Sequence, residues 1–181
     1  MRYVALLGGI NVGGHRVKMQ ELQAIFEALG FQRVATFIAS GNVLFDADPT
    51  DAAELAPQIE QRLAQQLGYN VPTFLRSLEE LQHVATYQPF PTLTMEPGDT
   101  LSILFLAAPL AAELHGPLRS FRTAMDEFHI DQREIYWLCR GKTTDSLVNW
   151  RLMVKQLALP AVTVRNATTI RKLVAKHAAE G

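Results

Sequence analysis

Apolar residues run without a break through Tyr3-Val4-Ala5-Leu6-Leu7 and stop at Gly8-Gly9, the pattern of a strand buried on both faces. Met19, Leu22, Ile25, Phe26 and Leu29 then recur at helical spacing, and Gly30 stands where such a helix would end. Two short strands are predicted at 33–38 and 42–45, with Ser40-Gly41 at the turn between them. Asp51 is placed to cap a helix whose Leu55, Ile59, Leu63 and Leu67 are spaced by four, with Gly68 closing it. Pro57 falls in its second turn and is expected to delay the regular part. Residues 71–75 read as a further strand.

A short helix is predicted at 77–87, and residues 88–99, with Pro89, Pro91, Pro97 and Gly98, read as a linker. The pattern then repeats. Residues 101–106 read as strand and 109–121 as mostly helix, which Gly116-Pro117 should break or end early. Residues 127–131 and 134–139 form a predicted hairpin, 146–157 a helix, 162–165 a strand and 168–179 a terminal helix. Each half has the order β-α-β-β-α-β, the ferredoxin-like or split βαβ arrangement, also called the alpha-beta plait. The expected fold is therefore α+β: two tandem ferredoxin-like units with antiparallel sheets and an extra C-terminal helix. The expected boundaries are 1–88 for the first unit with its extra helix, 89–99 for the linker and 100–181 for the second unit. The halves share a pattern rather than residue-level identity. A unit of this kind buries one sheet face under its two helices. The second apolar face must be covered by the rest of the chain or by a ligand, since exposure costs roughly 25 cal/mol per Å².

Composition narrows the class. Hydrophobic residues make up 48% of the 181 and charged residues 19%, enough for a packed core and too little charge for a disordered chain. No apolar run approaches about 18 residues, so no membrane span is expected. The opening apolar run ends after five residues without a small-residue cleavage site, so no secretory leader is expected either. The single cysteine, Cys139, cannot form an internal disulfide and favours a cytoplasmic home. The net charge of −1 conceals an asymmetry. From Arg140 onward eight basic residues stand against Asp145 and Glu180 alone, while residues 1–90 carry six bases and nine acids. Such a basic quarter suits either a phosphate backbone or a solvated face.

The chemistry-bearing candidates are few. In Gly8-Gly9-Ile10-Asn11-Val12-Gly13-Gly14-His15-Arg16-Val17-Lys18, four glycines within seven residues, Gly8, Gly9, Gly13 and Gly14, can turn backbone amides inward as an anion nest. Asn11, His15, Arg16 and Lys18 would surround it, just before a helix N-terminus. Neither GxxxxGK[ST] nor GxGxxG is present, and the same glycines serve equally well as a tight strand-to-helix connection. Ser40 and Asn42 flank Gly41 in what is ordinary hairpin chemistry. Arg165 leaves the last strand as a fixed fork suited to phosphate, carboxylate or a structural ion pair, and Asn166 beside it is a plausible N-cap. His15, His83, His115, His129 and His177 are isolated, so no metal site is expected, and no cofactor motif is present.

The segments Tyr3-Val4-Ala5-Leu6-Leu7, Gly9-Ile10-Asn11-Val12-Gly13-Gly14 and Ile38-Ala39-Ser40-Gly41-Asn42-Val43 strongly resemble the bacterial family called domain of unknown function 1697. The resemblance extends through Gly30-Phe31 and, more loosely, to Val164-Arg165-Asn166. It implies two ferredoxin-like units in tandem and no established activity. Related sequences usually carry an arginine where this chain has Gly8, and commonly a tryptophan after Arg-Asn where it has Ala167. Loss of that arginine would weaken an anion site or shift it onto Arg2, Arg16 or Arg165.

These features favour a binding protein for an anionic ligand, with single-stranded nucleic acid first, its bases stacked on an open sheet face through Tyr3 and Phe45. The RNP1 pattern is absent. An enzyme acting on a phosphorylated or carboxylated small molecule in a cleft between the units is the alternative, using Asn11, Ser40, Asn42 and Arg165 to orient it and His15 to move protons. A protein-interaction or homo-oligomerisation module is the third. Whether the protein is an enzyme stays open at this level.

Overall fold

The computed structural model describes residues 1–11, 13–38, 41–48 and 52–177. Among them the chain forms two four-stranded antiparallel sheets and six α-helices, an α+β architecture. Its contacts divide it into two compact units, Met1–His83 with Leu173–Gly181, and Val84–Lys172.

In the first unit β1 (Arg2–Leu7), α1 (Met19–Glu27), β2 (Gln32–Phe37), β3 (Asn42–Asp46), α2 (Ala52–Leu67) and β4 (Thr73–Ser77) follow in turn, and α3 (Leu78–Thr86) carries the chain across the division at His83. The sheet order is β2-β3-β1-β4, with Ala5 opposite Val43 on one side and Leu75 on the other. Tyr3, Ala5, Leu7, Val43, Phe45 and Leu75 share one face and pack with Leu22, Ile25 and Phe26 of α1 and Ile59 and Leu63 of α2. Each of the larger side chains among them contributes roughly 1.5–3 kcal/mol by leaving water. The second face, with Val4, Leu6, Leu44, Phe74 and Arg76, is buried as well. That double burial is why β1 reads as an unbroken apolar run rather than an alternation.

The second unit repeats the scheme with β5 (Thr100–Phe105), α4 (His115–Arg119), β6 (Asp126–Asp131), β7 (Glu134–Cys139), α5 (Trp150–Gln156) and β8 (Thr163–Asn166), in sheet order β6-β7-β5-β8. Leu104, Leu106, Phe128, Trp137, Met153 and Leu157 form its core. The helix α6 (Ala167–His177) ends the described chain. Register exposes a correspondence that the residues hide. Arg76 in β4 lies opposite Val4, Arg165 in β8 lies opposite Ile103, and both arginines are buried at matching places in their sheets.

Several boundaries differ from the sequence reading. The fourth strand starts at Thr73, because Pro72 has no N–H to give a ladder and its carbonyl instead accepts the Gly8 N–H at 2.8 Å. Gly116-Pro117 does not break a helix over 109–121. It opens one, since α4 begins at His115 and proline in a first turn removes an N–H that no helical carbonyl would have used. The helix expected from 146 starts at Trp150, where the Asn149 side chain accepts the Leu152 N–H at 3.0 Å. Pro57 lies inside α2 rather than delaying it. The predicted cap at Asp51, the candidate Ser40 and the end of the last helix at 178–179 lie outside the described residues.

Asp126 organises the approach to α5. Its buried carboxylate accepts from Trp137 Nε1 (2.8 Å), Ser146 Oγ (2.8 Å), the Leu147 N–H (3.0 Å) and Thr123 Oγ1 (2.6 Å). Burial pushes its pKa up, but these donors outweigh burial and hold the carboxyl below its ordinary value.

Candidate functional site

The loop between β1 and α1 is anchored at both ends and in the middle. Leu7 donates its N–H to the Gly41 carbonyl (2.9 Å), and Gly8 donates to Pro72. Ile10 is buried, and its carbonyl accepts the Tyr69 hydroxyl at 3.1 Å. The Asn11 carboxamide oxygen accepts the Val17 N–H at 3.1 Å, closing the loop on itself above the buried Val17 side chain. Gly9, Gly13 and Gly14 adopt φ of 66°, 66° and 89°, a region that costs other residues steric strain. Asn11, Gly13, Gly14, His15, Arg16 and Lys18 are left facing solvent.

Two families of residues that look separate in the sequence meet here. A Cβ built on Gly41 would lie 2.6 Å from Ile10 Cγ2 and 3.2 Å from Leu7 Cβ, and Gly41 has φ +75°. The hairpin turn is thus the seat of the glycine-rich loop, and glycine at 41 is what lets Ile10 dock.

The outer wall of the loop forms an open groove of ≈ 630 Å³ lined by Asn11, Arg16, Val17, Lys18, Met19 and Gln20. Arg16 and Lys18 have no acidic partner among the described residues. Of the loop amides, those of Gly8 and Val17 are used internally; those of Gly9, Gly13 and Gly14 meet no acceptor among the described residues. His15 does not line the groove. Its ring stacks on Tyr69, centroids 3.9 Å apart with 25° between planes. Burial and, next, the charge of Glu21 raise the Tyr69 pKa, so its hydroxyl keeps the proton it donates to Ile10. Tyr69, a lone aromatic just after α2, carried no motif that sequence reading could use.

The remaining candidates have structural duties. Asn42 is 0% exposed, and its Nδ2 donates to the Phe37 carbonyl at 2.9 Å across the hairpin. Asn166 accepts the Thr168 N–H at 2.8 Å and steadies the first turn of α6. Arg165 is 7% exposed; its Nη1 donates to Thr163 Oγ1 (2.8 Å) and the Val164 carbonyl (2.9 Å), and burial brings its pKa down to about 10. Tyr3 and Phe45 are not surface platforms: both sit in the helix-covered core, with rings 5.9 Å apart. Within the basic quarter Arg140 is paired with Asp99 and Arg165 is buried, while Lys142, Arg151, Lys155, Arg171, Lys172 and Lys176 are exposed. Gly8 is buried against Pro72 and Phe74, where a Cβ would lie 3.3 Å from the Pro72 carbonyl oxygen. Ala167 is the buried first residue of α6. No group of three or more metal-ligating side chains occurs among the described residues, and none of the described helices is long and apolar enough to cross a membrane.

The fold and loop define a two-sheet α+β protein with a glycine-rich connection after its first strand. The chain belongs to the family described as a protein of unknown function (DUF1697), whose model matches residues 1–136. That stretch includes the loop and its Gly41 seat and ends inside β7, short of Arg165 and Asn166. Among solved structures, the conserved bacterial protein SP0830 from Streptococcus pneumoniae is similar, with a TM-score of 0.76 and 24% identity over 97% of each chain. This likeness is one of fold. No curated protein matches the chain.

Proposed function

We propose that the protein binds a phosphate-bearing anionic ligand at the loop of residues 9–18, and that each unit is a ferredoxin-like scaffold. The scaffold reading rests on the β-α-β-β-α-β order with strand order β2-β3-β1-β4, repeated as β6-β7-β5-β8. One observation carries the ligand reading: Arg16 and Lys18, without acidic partners among the described residues, line the same groove as Asn11, and the Gly9, Gly13 and Gly14 amides of the same loop meet no acceptor among the described residues. Two cations in the groove and unbonded glycine amides in the same loop suit a phosphate group, while Val17 and Met19 give an apolar surface for the rest of a ligand. The groove falls in the range of about 300–1,000 Å³ usual for small-molecule sites, which favours a nucleotide-sized ligand over a long strand.

Binding is favoured over catalysis by what lines this groove: no carboxylate, thiol or imidazole is among its residues. The strand reading keeps one supporting observation, the exposed Arg151, Lys155, Lys172 and Lys176, but stacking on the first sheet through Tyr3 and Phe45 is removed by their burial.

Calorimetric titration with a nucleoside monophosphate, inorganic phosphate and a short oligothymidylate separates the readings. Saturable binding of the monophosphate that weakens with added salt supports the small-ligand site. Binding of the oligonucleotide alone, with log K falling by about 0.7 per phosphate contact for each tenfold rise in salt, supports the strand. Absence of binding by all three overturns both.

A further inference from the structure

Beyond that reading, a different set of residues in the second unit forms a second pocket. It has a volume of ≈ 220 Å³, and its walls include Tyr87, Phe90, Leu93, Met95, Leu101 and Arg171. The volume lies below the range of about 300–1,000 Å³ typical of drug-sized ligands, so it suits one ring with a short side chain.

Its walls are aromatic and held in place. The Tyr87 hydroxyl is 2.8 Å from His129 Nε2, which fixes the tyrosine ring, and Phe90 meets the His129 ring edge-on at 6.1 Å. Burial lowers the pKa of His129, favouring the neutral imidazole that can accept this bond. Pro89 and Pro91 restrict the backbone on either side of Phe90. Leu93 and Met95 remain 37% and 44% exposed at the pocket, large apolar side chains that internal packing has not consumed. A thioether beside aromatic rings is a favourable lining for another ring.

Arg171 gives the pocket its sign. Its Nε donates to the Ala85 carbonyl at 3.3 Å, which orients the guanidinium, and no acidic partner meets it among the described residues. The lining residues include no carboxylate. A single oriented cation beside an aromatic wall complements one planar anion attached to an apolar ring, and a guanidinium fork matches a carboxylate in geometry.

We propose that this pocket binds a small aryl carboxylate, with its ring among Tyr87, Phe90 and Met95 and its carboxylate on Arg171. The test is an NMR titration of the full-length isotope-labelled protein with phenylacetate, benzyl alcohol and acetate. Phenylacetate is expected to give saturable shifts at residues 87–95 and at the Arg171 side chain. Benzyl alcohol and acetate, each lacking one half of the ligand, should bind about tenfold more weakly or worse. Arg171→Gln should bring phenylacetate down to the benzyl alcohol level, Arg171→Lys should restore part of the difference, and Lys142→Gln, at an exposed cation outside the pocket, should leave the phenylacetate affinity unchanged. The proposal is overturned if phenylacetate produces no saturable shifts, if either half-ligand matches it, or if Arg171→Gln leaves its affinity unchanged.

Discussion

Replacing Gly41 by alanine tests whether the hairpin turn really seats the glycine-rich loop. The backbone there has φ +75°, and left-handed backbone costs a residue with a Cβ roughly 1–2 kcal/mol. The added methyl also lands 2.6 Å from Ile10 Cγ2, an overlap that must be relieved by moving Ile10 or the turn. Overpacking of this kind costs typically about 1–3 kcal/mol, so Gly41→Ala is expected to destabilise the first unit by about 2–5 kcal/mol. The backbone share should persist whatever stands at position 10, whereas the steric share should vanish when Ile10 is cut back. Urea unfolding of Gly41→Ala, Ile10→Ala and the double variant separates the two, with amide exchange at Leu7 and Gly8 as a local readout. The double variant should be about 1–3 kcal/mol more stable than the two single losses imply. Leu7 exchange should quicken in Gly41→Ala, because its N–H is bonded to the Gly41 carbonyl. Additivity within about 0.5 kcal/mol would refute the seating contact.

Other outcomes follow from single contacts. Asn11→Asp keeps an acceptor for the Val17 N–H but puts a negative charge in the groove, so anion affinity should fall steeply while the unfolding midpoint scarcely moves. Asn11→Ala should lower both. Asp126→Asn replaces an acceptor of four hydrogen bonds and should cost the second unit about 3–5 kcal/mol, measured by denaturant unfolding. The folded-state pKa of Asp126 lies below its unfolded value, so its contribution is complete above about pH 4 and fades as pH falls through the folded pKa. The variant should therefore lose less stability than the parent protein on acidification below about pH 4. Tyr136→Phe removes a buried hydroxyl that has no hydrogen-bond partner among the described residues, so thermal unfolding should show no loss and up to about 1–2 kcal/mol of gain.

The order of strands and helices was legible because local signals agree with the packing. The Tyr3–Leu7 run reflects burial on both faces, and Gly68 ends its helix with φ 80°, whereas α1 stops at Glu27 with Ala28 as its cap and Gly30, φ 86°, closes the turn that follows. Gly116-Pro117 misled because proline opposes the interior of a helix but suits its first turn, and sequence does not mark which position it holds. The sheet face of a strand residue is equally hidden when every neighbour is apolar. The sequence leaves Tyr3 and Phe45 free to stand on an open face, yet register puts them under the helices. The loop itself was found from its glycines and cations, whereas its supports were not. Tyr69 and Gly41 join it through contacts at long sequence separation, and Arg165, whose sequence position suits a ligand or an ion pair alike, is buried in its strand on Thr163 and the Val164 carbonyl. The match between Arg76 and Arg165 emerges only from strand pairing.

The anion site stands or falls on amides that share a loop with two cations that meet no acidic partner among the described residues. Following the Gly9, Gly13 and Gly14 amide resonances while a nucleoside monophosphate is added tests it most directly. Saturable movement of these three signals, abolished in the Arg16→Gln/Lys18→Gln variant and weakened by salt, is the expected result. Signals that stay fixed while the ligand reaches millimolar concentration, or that move equally in the double variant, would contradict recognition of phosphate by this loop.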